Sequence, residues 1–164
     1  MIRTHVVSLS LRSSLVVLTT VIAGCTSERP QATPTDIEVS GVFITEPAMG
    51  ERAAMYFTVV NRADSEDELV AVSTPVAEVA EMHKTVQQGG TVRMEQISSL
   101  ALPANGELRF APGGYHIMLL QLNESFTPGD WVDATLHFRV AGEIAIRGEV
   151  LKYVDIEKAL TEAQ

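Results

Sequence analysis

The sequence predicts an all-β domain, an antiparallel sandwich or barrel of about eight or nine strands, and three observations support this fold class. Short β-rich runs succeed one another from residue 37 onwards. Turn-forming segments separate these runs at short intervals. Several runs also alternate polar with apolar residues, which is the period of a strand with one buried face. No long helix is predicted before 156–163, and that stretch is equally compatible with a frayed tail.

Each strand is justified by turn signals or by alternation. PAMGE separates the first strand from the second, NRADSED the second from the third, and QQGG the fourth from the fifth. LPANGE, PGG, TPGD and AG precede the sixth, seventh, eighth and ninth strands. Between residues 131 and 140, polar residues and a tryptophan alternate with five apolar residues, so each set lies on its own face. The predicted strands are Ile37–Thr45, Ala53–Asn61, Glu68–Ser73, Glu78–Val86, Thr91–Ile97, Glu107–Phe110, Tyr115–Leu122, Trp131–Val140 and Glu143–Leu151.

Residues 1–24 are predicted to be a signal peptide outside the domain. Arg3 and Arg12 are their only charged side chains, and the run 15–24 (LVVLTTVIAG) is apolar or neutral throughout. Such a run is shorter than the roughly 20 residues that span a membrane and fits the hydrophobic region of a secretory signal. The segment IAGC that ends at Cys25 resembles the lipobox of bacterial lipoproteins. This resemblance implies that Cys25 is lipidated and becomes the first residue of the mature chain.

The segment after the signal is expected to tether the domain to a membrane. Residues 25–36 contain two prolines and no apolar periodicity, so they read as a flexible linker. The domain is assigned to residues 37–154 and a short C-terminal tail to residues 155–164. Thr26 stands where an Asp would indicate inner-membrane retention in enteric bacteria. A lipid anchor on the periplasmic side of a bacterial membrane is therefore expected, with the outer membrane favoured.

Composition restricts the chemistry open to this chain. Its 164 residues are 46% hydrophobic and 20% charged, as in one globular domain. The 12 Lys and Arg residues against 21 Asp and Glu give a formal charge of -9, which argues against nucleic acid and against polybasic membrane binding. Loss of residues 1–24 removes two arginines and no acid, which changes this charge to -11. The single cysteine excludes a disulfide framework, and the absence of GxSxG, HExxH, Walker A and GxGxxG motifs favours a non-enzymatic protein.

Two pairs of histidine and methionine form a candidate metal site. If QQGG is the loop of the hairpin over residues 78–97, His83 and Met94 lie directly opposite each other, with Cβ atoms about 5 Å apart. His116 and Met118 are two residues apart in a strand and therefore project from the same side. Thioether and imidazole are neutral donors, and the softness of sulfur selects Cu(I) over Mg²⁺, Ca²⁺ or Zn²⁺. A blue-copper centre would require a cysteine thiolate, and Cys25 lies on the tether.

The arrangement His83-x10-Met94-x21-His116-x-Met118 resembles the signature of the periplasmic copper chaperones called PCuAC. Further matches are AAMYFTVVN, DELV, EMHKT, PGGYHIMLLQL and GDWVDATLHFRVAGE, and the likeness covers roughly residues 39–150. It implies a cupredoxin-like Greek-key β-sandwich or barrel that holds Cu(I) at an exposed site. The ligands that it implies are the four residues of the signature.

The resemblance also implies a role and partners. The copper would be delivered by ligand exchange to the apo CuA domain of cytochrome c oxidase subunit II, with a Sco-like thioredoxin-fold protein as a further partner. The tail DIEKALTEAQ lacks the histidines and methionines that many relatives carry there, so a second, Cu(II)-binding role is not implied. Two alternatives are a periplasmic copper storage or detoxification lipoprotein and a structural or interaction lipoprotein that binds no metal.

The remaining histidines and methionines are interpreted as structural. Met55 and Met82 are expected to pack in the core, because methionine on a strand usually fills it. Met49 lies in a Pro/Gly loop and is not expected to be a ligand. His137 alternates with charged residues, so a solvent-side or interface position is expected. Tyr115 is expected to pack beside the metal site.

Overall fold

Ten strands form one sheet in the computed structural model, which describes residues 36–48 and 51–163. The predicted signal peptide, Cys25, nearly all of the tether and Met49 lie outside the described residues. A single 3-10 turn, Tyr153–Asp155, leads into one short helix, α1 (Ile156–Glu162). The strands are β1 Ile37–Thr45, β2 Arg52–Asn61, β3 Asp67–Ser73, β4 Ala77–Gln88, β5 Thr91–Ile97, β6 Leu100–Leu102, β7 Glu107–Phe110, β8 Tyr115–Leu122, β9 Trp131–Phe138 and β10 Gly142–Leu151.

The strands lie in the order β5-β4-β8-β7-β2-β1-β10-β9-β3-β6, and β8 also pairs directly with β2. Pairing is antiparallel except between β1 and β10 and at one residue pair between β7 and β8. Gly41 adopts a φ of 58° within a bulge of β1, a conformation that glycine reaches without steric cost. The sheet is open, so β5 and β6 are its two edges.

One apolar core lies against this sheet. Buried side chains from β2, β3, β8 and β9 all belong to the same cluster, so the two halves of the sheet fold over a common core. The rings of Phe57 and Phe110 stack there with centroids 4.2 Å apart. Met55 and Met82 are both buried in this cluster, which confirms their structural interpretation. The predicted all-β, cupredoxin-like fold class is likewise confirmed.

One strand, β6, was not predicted from the sequence. β6 spans only three residues and pairs with β3, from Asp67 opposite Leu102 to Leu69 opposite Leu100. A run this short shows too little alternation to be distinguished from a loop. β4 also extends beyond its predicted limits at both ends, from Ala77 to Gln88.

The predicted register of the β4–β5 hairpin was wrong by two residues. Met94 lies opposite Thr85 and His83 lies opposite Gln96. Gly89 and Gly90, with φ of 59° and 81°, form a two-residue turn, so the two glutamines of QQGG belong to β4. Because this slip is even, Met94 keeps the face of His83 and becomes its diagonal neighbour.

β4 and β5 extend past the rest of the sheet as a two-stranded ribbon. Pairing between β4 and β8 ends with Lys84 opposite Tyr115, whereas pairing between β4 and β5 continues to Gln88 opposite Thr91. One further backbone bond, from Thr85 N–H to the Gly114 carbonyl, lies at the point of divergence. Met94 is thus carried at the base of this ribbon.

The C-terminal segment packs on the outside of the sheet instead of fraying. Ile156 and Leu160 of α1 are buried with Tyr56 of β2 in a second, smaller apolar cluster. Residues assigned to the tail therefore contribute to the folded unit. Among residues 36–48 and 51–163, no helix is long and apolar enough to cross a membrane.

Asp67, at the start of β3, holds together the end of the sheet that includes β9 and β10. Its buried carboxylate accepts backbone N–H bonds from Glu68, Val140 and Ala141 at 2.7–2.9 Å. Val140 and Ala141 form the turn between β9 and β10, so one side chain fixes that turn against β3. Three charge-assisted bonds satisfy the buried oxygens.

We predict that Asp67→Asn lowers the free energy of unfolding by about 1–3 kcal/mol, because an amide offers one acceptor oxygen and a donor that faces N–H groups. Chemical denaturation would measure the change. Glu66→Gln is the matched control, since Glu66 is a neighbouring exposed acid, and it should change stability by less than about 0.5 kcal/mol. Equal effects of the two substitutions would contradict this role for Asp67.

Candidate metal centre

His83 and His116 face each other across two adjacent strands. β4 and β8 pair so that these residues are directly opposite, and their ring centroids are 5.8 Å apart. Two residues along, Glu81 lies opposite Met118 on the same face. The β4–β8 register therefore brings one predicted pair, His116 and Met118, beside His83. This pairing was not predicted, because the spacing within one hairpin or one strand says nothing about how β4 and β8 pair.

Glu81 orients the ring of His83. Its Oε2 lies 2.9 Å from His83 Nε2, with both side chains largely shielded from solvent. With Nε2–H donating to this carboxylate, the lone pair is on Nδ1. His83 Nδ1 is buried and has no hydrogen-bond partner among the described residues. A buried acceptor without a partner costs about 1–3 kcal/mol, so such an atom in a native site calls for a functional explanation.

His116 presents the complementary nitrogen. Its Nδ1 lies 3.3 Å from the Gly114 carbonyl oxygen, to which Nδ1–H donates. Nε2 is buried and, within the described part of the chain, has no hydrogen-bond partner. Burial lowers the pKa of the His116 imidazole below its usual value; the bond to Gly114 opposes this shift, and His83 adds to it. The neutral form is therefore favoured, with a free lone pair on Nε2.

The thioethers complete the face at different depths. Met118 is half-buried between Glu81 on β4 and Ala54 on β2. Met94 is 61% exposed, although it is a large apolar side chain. His116 is the innermost of the four, at 4% exposure. The four side chains thus form a series from a buried histidine to a methionine in contact with solvent.

A recess of about 310 Å³ opens on this face. Met94, His116 and Met118 line it, whereas His83 does not. Its remaining walls come from β1 and the segment after it, β2, β4, the Gly113 turn and the segment after β10: Thr45, Ala48, Arg52, Ala53, Ala54, Tyr56, Thr85, Gly113 and Tyr153.

Several residues at the site were missed or placed differently by the sequence analysis. Tyr56 supplies the aromatic ring near His116, at 6.4 Å between centroids. Tyr115 was expected there, but it alternates to the other face and packs near Phe110. No sequence signal identified Tyr56 or Tyr153, because β2 and the segment after β10 reach the site only through the fold. The alternation EMH, with Glu81 and His83 on one face, could have revealed Glu81.

His137 lies outside this constellation. Its Nε2 is hydrogen-bonded to the Ser73 hydroxyl at 2.8 Å, and its Nδ1 lies 3.5 Å from a Glu143 carboxylate oxygen. These contacts lie on the face formed by β3, β9 and β10. This agrees with the expected surface position. Trp131 on β9 is 55% exposed, and the Arg147 guanidinium lies over its ring at 5.7 Å.

The arrangement suits a soft, singly charged cation. Two neutral imidazole nitrogens and two thioether sulfurs provide polarisable donors without a formal charge. Such a set stabilises Cu(I) better than hard cations, which prefer oxygen ligands. The carboxylate of Glu81 adds one negative charge at the back of His83 without being needed as a ligand.

Comparison with known proteins gives three kinds of match. Residues 37–150 match the model of the family described as "Putative lipoprotein LpqE-like". A protein of Leifsonia xyli subsp. xyli, named "Putative lipoprotein Lxx21020", is 28% identical over 124 residues, which cover 71% of this chain and 74% of that protein.

Solved structures with the same fold include the copper-bound PCuAC domain from PmoF2, with a TM-score of 0.61 and 28% identity over 71% of this chain and 93% of that one. The Cu(I) form of DR1885 from Deinococcus radiodurans has a TM-score of 0.58 and 28% identity, and the match covers 76% of this chain and 83% of that protein. The chain therefore belongs to the LpqE-like lipoprotein family, and its β domain is a PCuAC-type cupredoxin-like domain.

Proposed function

We propose that this protein is an extracytoplasmic Cu(I) chaperone with His83, Met94, His116 and Met118 as its copper ligands. The observation that carries the proposal is the opposed histidine pair, whose two buried ring nitrogens have no hydrogen-bond partners among the described residues. A cation bound by both nitrogens would satisfy both lone pairs. The copper-bound PCuAC domain of PmoF2 and the Cu(I) form of DR1885 support copper as that cation.

The second step concerns which donors complete the copper site. Met118 lies on the same face as the histidine pair, two residues further along the β4–β8 ladder. Met94 is the diagonal neighbour of His83 across the β4–β5 ladder and lines the recess together with His116 and Met118. The set therefore combines three donors on the continuous sheet with one donor at the base of the ribbon.

Glu81 is proposed to prepare His83 for copper without touching the metal. A carboxylate that accepts the second ring N–H fixes the tautomer and raises the basicity of the coordinating nitrogen. It also partly offsets the positive charge that four neutral ligands leave uncompensated. Glu81 hydrogen-bonds His83 and is paired with Met118, so this charge lies beside two of the proposed ligands.

The exposure of Met94 supports transfer by ligand exchange. An acceptor can replace the most accessible donor first, while the buried His116 still holds the ion. Each intermediate then keeps several protein ligands, so copper never becomes free. We propose that the acceptor is the apo CuA domain of cytochrome c oxidase subunit II, with a Sco-like thioredoxin-fold protein as a further partner.

Lipidation of Cys25 is proposed to hold the domain on the periplasmic side of a bacterial membrane. Membership in a lipoprotein family supports this anchor, as does the lipobox-like segment that ends at Cys25. Residues 25–36 would give the domain reach towards a membrane-bound acceptor. Thr26 favours the outer membrane over the inner membrane.

We predict that the protein binds one Cu(I) per chain under reducing conditions and that replacing both His116 and Met118 by Ala abolishes stoichiometric binding. Affinity should fall by more than the roughly 10–100-fold caused by loss of an outer hydrogen-bond partner. Competition with a Cu(I)-specific chromophoric chelator would measure it. His137→Ala is the control, because His137 lies outside the site and its loss should leave affinity unchanged. Retained binding in the double variant would refute the ligand assignment.

Replacement of Glu81 by Ala should weaken Cu(I) binding about 10–100-fold. It should also change the metal-free protein: ring ¹⁵N shifts should move His83 from the Nε2–H tautomer towards a mixture, because the carboxylate no longer accepts that proton. Glu81→Gln keeps an acceptor oxygen, so its Cu(I) affinity and its His83 tautomer population should lie between those of the wild type and Glu81→Ala. Glu78→Ala is the matched control, because Glu78 is an exposed acid near the start of the same strand. An unchanged His83 tautomer in Glu81→Ala would contradict this positioning role.

Delivery itself is tested by mixing the copper-loaded protein with a reduced apo CuA domain in the presence of a chelator that captures free Cu(I). Copper should move to the acceptor while the chelator remains unloaded, and oxidation should then develop the CuA absorption bands. The copper-loaded chelator in place of the protein is the control for transfer through solution. Copper that stays on the protein would favour storage over delivery.

A further inference from the structure

The edge strand β5 has an unpaired side. β5 is the last strand of the sheet and pairs with β4 alone. Six of its seven residues are exposed, and Val92 and Met94 are among the most exposed large apolar side chains of the described residues. The other edge, β6, has only three residues. Free N–H and C=O groups along a strand of this length are a template for another strand.

The two-residue turn determines which backbone groups are free. Residues that flank such a turn form a hydrogen-bonded pair, and hydrogen-bonded pairs then alternate with non-hydrogen-bonded pairs. Gln88 and Thr91 flank the turn. The backbone N–H and C=O groups that bond to β4 are therefore those of Thr91, Arg93, Glu95 and Ile97. Val92, Met94 and Gln96 direct theirs towards the open edge.

We propose that β5 pairs antiparallel with β5 of a second copy of this chain, in a register centred on Met94. This register opposes Met94 to Met94 and Val92 to Gln96, and all three outward-facing residues then form hydrogen-bonded pairs. Arg93 of each copy lies opposite Glu95 of the other, in the closer, non-hydrogen-bonded type of pair. Neither Arg93 nor Glu95 has an ion pair among the described residues, so both charges are available to a partner.

Charge complementarity is what selects a second copy as the occupant. The sequence TVRMEQI is self-complementary about its central methionine when read antiparallel, with opposite charges one step to either side. The same register places the Met94 side chains of both copies next to each other on the face of His83. A dimer would therefore join two donor sets through adjacent thioethers, beyond the role proposed for one chain.

The register is tested by cysteine cross-linking in the full chain in bacterial membranes, with diamide as the oxidant. Cα atoms of a hydrogen-bonded antiparallel pair lie about 5.5 Å apart, within the roughly 4.4–6.8 Å range of disulfides. Met94→Cys should therefore give a covalent dimer. Val92→Cys is the matched control, because Val92 and Met94 are 62% and 61% exposed, yet two copies of residue 92 would be more than about 13 Å apart. The wild-type chain, with Cys25 alone, sets the background.

Charge reversal gives an independent measurement that leaves Met94 intact. Arg93→Glu should weaken dimerisation roughly tenfold or more, because it places like charges opposite each other twice. Arg93→Glu combined with Glu95→Arg should restore it. Sedimentation velocity of the full chain in detergent micelles would measure the monomer–dimer equilibrium. Three results would each overturn the proposal. They are a chain that stays monomeric, equal cross-linking at positions 92 and 94, and a double reversal that does not restore dimerisation.

Discussion

The hydrogen-bonded register between β4 and β8 is the constraint on which the candidate site depends. Backbone pairing, rather than any contact between the side chains, sets His83 opposite His116 and Glu81 opposite Met118. A slip of one residue would turn each of these side chains to the other face, into the core. The apolar alternates of the same strands, Met82 and Ile117, oppose such a slip because both are buried. The core therefore determines where the polar donors lie.

Within each imidazole of the histidine pair, the two ring nitrogens differ in their hydrogen bonding. Each imidazole has one nitrogen bound to a fixed acceptor, Glu81 for His83 and the Gly114 carbonyl for His116. The other nitrogen of each ring stays without a partner in the described structure and is shielded from water. These two unsatisfied atoms cost stability, and the surrounding strands compensate for that cost with well-paired backbone and a continuous core.

Much of the fold could be predicted from the sequence, because alternation and turn residues report directly on strands with one buried face. The strand over residues 131–138 shows this well. β6 could not be predicted, since three residues carry no usable period. The hairpin register failed for a different reason: the choice between a two-residue and a four-residue loop depends on whether Gln87 and Gln88 pair, which their polarity does not reveal. At the site, the spacing of histidines and methionines could be read, but Tyr56 and Tyr153 approach it only through tertiary packing.

The ribbon formed by the ends of β4 and β5 has a mechanical consequence for the donor set. His83, His116 and Met118 lie where several strands brace one another, whereas Met94 is carried at the base of a two-stranded segment. Two strands on their own are only marginally stable and bend and twist more readily than a multi-stranded sheet. Three of the four proposed ligands are therefore held rigidly, and the fourth lies on a more flexible two-stranded segment. In the proposed site, the coordination number of a copper ion would therefore change as this segment bends, while the other three ligands keep hold of the ion.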